Sequence, residues 1–146
     1  MSIKENEAIA RRFEEAFNTG NTADASEFIA PSFTQYGPGT PPEPPGPEGY
    51  RELVRFYRQA FPDLHVSIED MVVAEDKVAI RFRGRGTHRG EFAGIAPTGK
   101  QMETVGIDII HIADGKITEA WEIYDTLGFM QQIGAAQLSP VTQAAG

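Results

Sequence analysis

An aspartate at the end of an apolar strand pattern is the first place in this chain where residue type and spacing suggest chemistry. In Ile117-Thr118-Glu119-Ala120-Trp121-Glu122-Ile123-Tyr124-Asp125, a period of two puts Ile117, Trp121, Ile123 and Asp125 on one face. Two readings of Asp125 stand side by side. It caps the helix suggested by Leu127, Met130 and Ile133, accepting an orphan backbone N–H of the first turn. Alternatively, it projects into an apolar pocket, where desolvation raises its pKa and suits it to moving protons. Glu119 shares its parity, but at ~3.3 Å per strand residue the two carboxylates are ~20 Å apart, too far for a dyad.

Three histidines, His65, His88 and His111, are scattered without metal-ligand spacing, and cysteine is absent. No zinc or iron site is expected from this pattern. His111 lies in an apolar run, Ile109-Ile110-His111-Ile112-Ala113, and reads as a core or edge histidine or as a second catalytic group. Strict pairing across a turn at Asp114-Gly115 sets it opposite Thr118 and away from Trp121 and Asp125. A bulge near Gly106 or Ile107 would bring it to their face. His88, in Gly86-Thr87-His88-Arg89-Gly90, reads either as a turn residue or as a ligand contact.

A charge held in an apolar cavity needs a hydrogen-bond donor, because an unpaired charge there is costly. Tyr36, His111 and the indole N–H of Trp121 are the candidates. With Phe82, Tyr57, Ile123 and His88 they form the expected pocket lining. Trp121 reads most simply as a core aromatic whose N–H finds a local partner, and its lining role follows from the cavity.

The elements that would hold these groups follow from periodicity. Ser2-Ile3-Lys4-Glu5 matches a capping box, and Ile9, Phe13, Ala16 and Phe17 then share one helical face. Thr22 to Ala30 reads as a short second helical piece closed by Pro31, with Phe33 to Tyr36 extended after it. Gly37 to Gly49, rich in Pro and Gly, is a loop that could gate a pocket. Tyr50 to Phe61 is an amphipathic helix stopped by Pro62.

Leu64 to Val73 and Lys77 to His88 alternate as strands. The second sets Val78, Ile80 and Phe82 on one face and Arg81, Arg83 and Arg85 on the other. A long hairpin about Asp114-Gly115 ends the sheet. Helices followed by antiparallel strands predict an α+β fold, with helices on one face of a strongly curved mixed or antiparallel sheet. Such a cone encloses a cavity suited to a small molecule.

A chain of 146 residues with 40% hydrophobic residues can bury a real core. A single domain over residues 1–135 and a flexible tail over 136–146 are expected. The formal charge of −8 and the pI near 4.8 disfavour nucleic acid as a partner. No run approaches a membrane span and the N-terminus lacks a signal core, so a cytoplasmic location is expected. The outer sheet face, with Arg81, Arg83 and Arg85 and with Thr104, Ile110 and Ile112 interspersed, suggests a homodimer.

Several segments together resemble the SnoaL-like polyketide cyclases, also called ester cyclases. These are Ala60 to Leu64, Gly86 to Phe92, Pro97 to Lys100, Asp114 to Trp121, Asp125 and Gln132 to Gly134, so that the resemblance runs from about Glu7 to Gly134. It implies the α+β cone shared with ketosteroid isomerase, scytalone dehydratase and nuclear transport factor two. It also implies cofactor-free intramolecular aldol chemistry on a small hydrophobic or polyketide-like ester, with a carboxylate as acid/base. Asp125 is the position that matches the family's catalytic aspartate, and His111 matches a histidine on the partner strand. The polar residue common after the first strand is Gln35-Tyr36 here. Another lyase, isomerase or hydrolase of the same fold, or a binding domain without turnover, are the alternative readings.

Overall fold

The computed structural model of the chain describes residues 2–39, 41 and 43–136; the tail expected from residue 136 lies, beyond its first residue, outside them. Helix α1 spans Ile3–Thr19. The Ser2 hydroxyl accepts the Glu5 N–H at 3.0 Å, as the capping box requires. Helix α2 spans Pro47–Ala60, with proline in its first turn, where its missing N–H costs nothing.

The second helical piece expected over residues 22–30 is corrected. It is one 3₁₀ turn, Ala25–Glu27, and strand β1 already begins at Ile29 and runs to Tyr36. Pro31 is tolerated inside β1 because that strand is an edge of the sheet, where a missing N–H breaks no ladder.

The remaining strands are β2 (His65–Val73), β3 (Lys77–Thr87), β4 (Gln101–Ala113) and β5 (Lys116–Tyr124), followed by helix α3 (Thr126–Gln132). They form one five-stranded sheet in the order β1-β5-β4-β3-β2. β1 runs parallel to β5 and every other pair is antiparallel. Helices α1 and α2 cover one face of this mixed sheet, closing an α+β cone. Buried Phe13, Phe33, Tyr50 and Phe61 fill the space between them, and the Tyr50 hydroxyl donates to the Phe13 carbonyl at 2.6 Å. Among the described residues no helix is long and apolar enough to cross a membrane.

One residue decides what the last strand presents to the interior. Asp114 and Gly115 take φ of 51° and 76°, the positive pair a type I′ turn needs. Pairing then starts as Ala113 with Lys116 and Ile112 with Ile117, but the next pair is His111 with Glu119. Thr118 is the unpaired residue of a β-bulge, and past it the alternation of faces is reversed. Ile117 and Ala120 are buried and Glu122 and Tyr124 line the interior. Trp121 and Ile123 are 50% and 77% exposed on the outside. The expected common face of Ile117, Trp121, Ile123 and Asp125 is thus corrected: only Ile117 belongs to the core.

Candidate functional site

The interior is acidic at one end. Asp108 of β4 is the direct partner of Glu122 on β5, and Glu14 comes down from α1 onto the same spot. The sequence places all three by ordinary means. Glu14 occupies the core stripe of α1, beside Ala10, Phe13 and Phe17, and Asp108 falls on the buried parity of β4. Asp108 is 1% and Glu14 4% exposed. Among the described residues both oxygens of Asp108 and Oε1 of Glu14 meet no donor, so these carboxyls satisfy one another by holding protons. Among the described residues no group of three or more His, Cys, Asp or Glu, this acid cluster included, has the placement to hold a metal ion.

Burial governs the ionisation of the group. Desolvation pushes Glu14 from the ordinary 4.5 to about 7, opposed by its contact with Asp108 and reinforced by the charge of Glu122. Asp108 is raised well above the usual range by desolvation first and then by the neighbouring Glu14 charge. Glu122 is likewise raised by desolvation and by the charge of Asp108. A cluster of this kind keeps protons well above the usual carboxylate range, because full ionisation would set like charges together in a dry interior.

The cavity beside these acids is about 60 Å³ in volume and is walled by Phe17, Tyr57, Phe82, Met102 and Phe129, with Glu14, Glu122, Thr104 and Tyr124 as its polar groups. The hydroxyls of Tyr57 and Tyr124 are 3.3 Å apart. Desolvation raises both phenols, Tyr57 the more strongly, so both stay protonated through neutral pH.

The residues expected from the sequence divide between this cavity and the outside. Tyr57 and Phe82 line it. Asp125 does not: its Oδ1 accepts the Gly128 N–H at 2.9 Å, capping α3, and the residue is exposed. Of its two sequence readings the structure supports the cap, because β5 has turned outward by that point. His111 is also outside, with Nδ1 at 3.1 Å from Glu119 Oε1. A bulge does set it on the face of Trp121, but at Thr118 of β5 and not near Gly106 or Ile107, and that face is the outer one. Tyr36 stacks on Trp121, with ring centroids 4.4 Å apart, and the Trp121 indole N–H reaches Glu119 at 3.4 Å. Neither donates into the cavity, and Ile123 is exposed beside them.

His88 is fully buried yet does not line the cavity. Its Nδ1 accepts the Thr98 N–H at 3.2 Å and its ring packs against Phe61, with centroids 5.6 Å apart, so it fastens the segment after β3. The segment expected as a loop over Gly37–Gly49, whose last three residues already belong to α2, contributes none of the cavity-lining residues among those described. Asp108, Glu122 and Glu14 were missed in the sequence. The signal for Asp108 was an acid inside an apolar strand, and for Glu14 an acid inside an apolar helical stripe.

Comparison with known proteins gives the same picture at three levels. The profile of the SnoaL-like polyketide cyclase family matches residues 7–133. Aklanonic acid methyl ester cyclase AcmA of Streptomyces galilaeus is 32% identical over 134 residues, which cover 90% of this chain and 92% of that one. Among solved structures, TsrD from Streptomyces laurentii superimposes with a TM-score of 0.83 at 28% identity, covering 93% of this chain and 99% of that one. IdmH from Streptomyces antibioticus does so with a TM-score of 0.74 at 32% identity, over 88% and 98% of the two chains. With its profile, its relatives and its cone in agreement, the chain belongs to the SnoaL-like polyketide cyclase family.

Proposed function

We propose that this protein closes a ring in a polyketide-type ester by an intramolecular aldol reaction, with Glu122 as the acid/base and Asp108 as its proton-sharing partner. Glu122 faces the cavity and Asp108 lies directly across the hairpin from it; this juxtaposition carries the reading. An ionised carboxylate on Glu122 takes the proton alpha to a carbonyl, and the resulting carbanion attacks a ketone carbon within the same molecule. One C–C bond forms, the ketone π bond opens to an alkoxide, and the proton returns from the acid pair to that oxygen, with no net redox change. A base of raised pKa suits removal of a weakly acidic C–H better than an ordinary carboxylate does, because basicity follows pKa. Asp125, whose carboxylate already accepts a backbone N–H outside the cavity, is not assigned this role.

The test uses aklanonic acid methyl ester, the compound in the name of the relative, as probe substrate. Glu122→Gln, folded by circular dichroism, is expected to lose at least ~10²-fold in turnover. Retained turnover refutes the assignment, and retention of the probe without turnover by the unaltered protein supports a binding role instead.

We also infer a homodimer formed through the outer sheet face. Ile110 and Ile112, expected on this face, lie buried in the core instead, because the other parity of β4 faces outward; Ile107, Ile109, Trp121 and Ile123, all at least 41% exposed, line a groove of about 750 Å³ there. Contiguous exposed apolar residues of this kind mark association surfaces.

A further inference from the structure

The acid cluster accounts for the movement of a proton, and the carboxyl that moves it is not a standing donor to the alkoxide while it is ionised. An ionised carboxylate is acceptor-only and repels an oxyanion until the proton is returned. Among the described residues the cavity lining contains no Lys, Arg, His, Asn, Gln or Trp side chain. Its neutral donors are the hydroxyls of Tyr57, Tyr124 and Thr104. Tyr57 comes from α2 and Tyr124 from the end of β5, two residues past Glu122 and on the same face. The two phenols are bonded to each other at 3.3 Å, and among the described residues neither has another hydrogen-bond partner.

We propose that Tyr57 and Tyr124 form a paired hydroxyl donor that polarises the ketone under attack and stabilises the alkoxide formed from it. The inference rests on the aldol reading and names residues that reading does not need for proton transfer. Two hydroxyls carry two protons, and one is used within the pair. The other is free to point at the substrate oxygen. The hydroxyl that accepts within the pair is the one left free to donate outward, and its O–H is unchanged in number but supported electrostatically by its neighbour. Both phenols remain protonated, so they act by hydrogen bonding and the acid pair alone exchanges the proton. Thr104 Oγ1 is buried without a partner and is left outside this role.

Tyr57→Phe and Tyr124→Phe keep the rings that pack on Phe17, Phe92 and Phe129 and remove only oxygen. With aklanonic acid methyl ester, loss of a donor that acts on the alkoxide is expected to lower kcat by ~10²-fold with KM within about twofold. The double variant should fall no further than about the worse single one, since the pair acts as a unit. A purely structural pair would lower the melting temperature and leave kcat per folded molecule unchanged, which overturns the proposal. A second readout does not depend on turnover: the infrared carbonyl stretch of bound acetophenone. In the unaltered protein it should lie below its value in hexane, and in both Phe variants it should move back toward that value. Equal frequencies in all three proteins overturn the donor pair, whereas a shifted stretch with no turnover of the ester refutes the cyclase reading alone.

Discussion

Replacing Glu14 by Gln should make folding stability less dependent on pH. In the folded protein Glu14 titrates at about 7 instead of 4.5. Between those values the native state binds a proton that the unfolded chain has released, so stability falls as pH rises across this window and is level, for this group, above it. The stabilisation is fully present below pH 4.5 and lost by the time pH passes about 7. At ~1.4 kcal/mol per pH unit, the loss amounts to roughly 3 kcal/mol.

Glu14→Gln removes this titration while keeping the side-chain length. Urea unfolding at half-unit steps from pH 4.5 to 8.5 should show variant and parent close together at the acid end. The variant should become more stable, by up to roughly 3 kcal/mol, at the alkaline end. Asp108 and Glu122 are raised in the same sense, so a residual downward slope persists in the variant. A difference between the two proteins that is constant with pH would refute the burial argument for Glu14, and with it the proton-sharing cluster.

Other outcomes follow from single contacts. Asp125→Ala should cost ~1 kcal/mol of stability through the lost cap while leaving turnover per folded molecule unchanged, measured by denaturation and steady-state rates. A proportionate loss of activity at full stability would restore Asp125 as a catalytic candidate. The acid limb of the kcat/KM profile should lie well above the range of an ordinary carboxylate, since activity requires Glu122 to ionise against its raised pKa; a limb at the ordinary ~4.3 would count against that base. Gly106→Ala would place a Cβ 2.7 Å from the Ile123 carbonyl and 2.8 Å from Tyr124 Cβ, and should destabilise by about 1–3 kcal/mol. A variant as stable as its parent would show that the hairpin yields there. Light scattering should give twice the chain mass, and Trp121→Glu should halve it; no change on substitution would exclude the outer face.

Much of the fold was legible because local rules and global packing agreed. Ser2 and Glu5 specify the start of α1, Asp114-Gly115 specifies the hairpin, and the alternation of Val78, Ile80 and Phe82 with arginines specifies the two faces of β3. The site was misread for one physical reason. Period-two counting from Ile117 crosses Thr118, where the strand carries an extra residue, and composition around Thr118 announces no bulge. Every inference carried past it, to Trp121, Ile123 and Asp125, therefore named the wrong face. Counting outward from the turn along β4, which carries no extra residue, would have kept Asp108 on the buried side. Glu14 was legible on its own helix but was passed over because acids usually face water. The start of β1 was hidden by Pro31, which ends helices but is also admitted to edge strands.

The cavity volume has a kinetic consequence. About 60 Å³ accommodates on the order of four water molecules, far less than a polycyclic ester. The state that admits such a ligand is therefore a different arrangement of the same walls. Intrinsic affinity is diminished by the fraction of molecules already in that arrangement, and association slows accordingly. In a stopped-flow experiment under ligand excess, the observed rate should climb and then level off at a ceiling set by the protein rather than by diffusion. Substitutions that trim a wall, such as Met102→Ala, should raise that ceiling, acting on the rate of entry before they act on the chemistry.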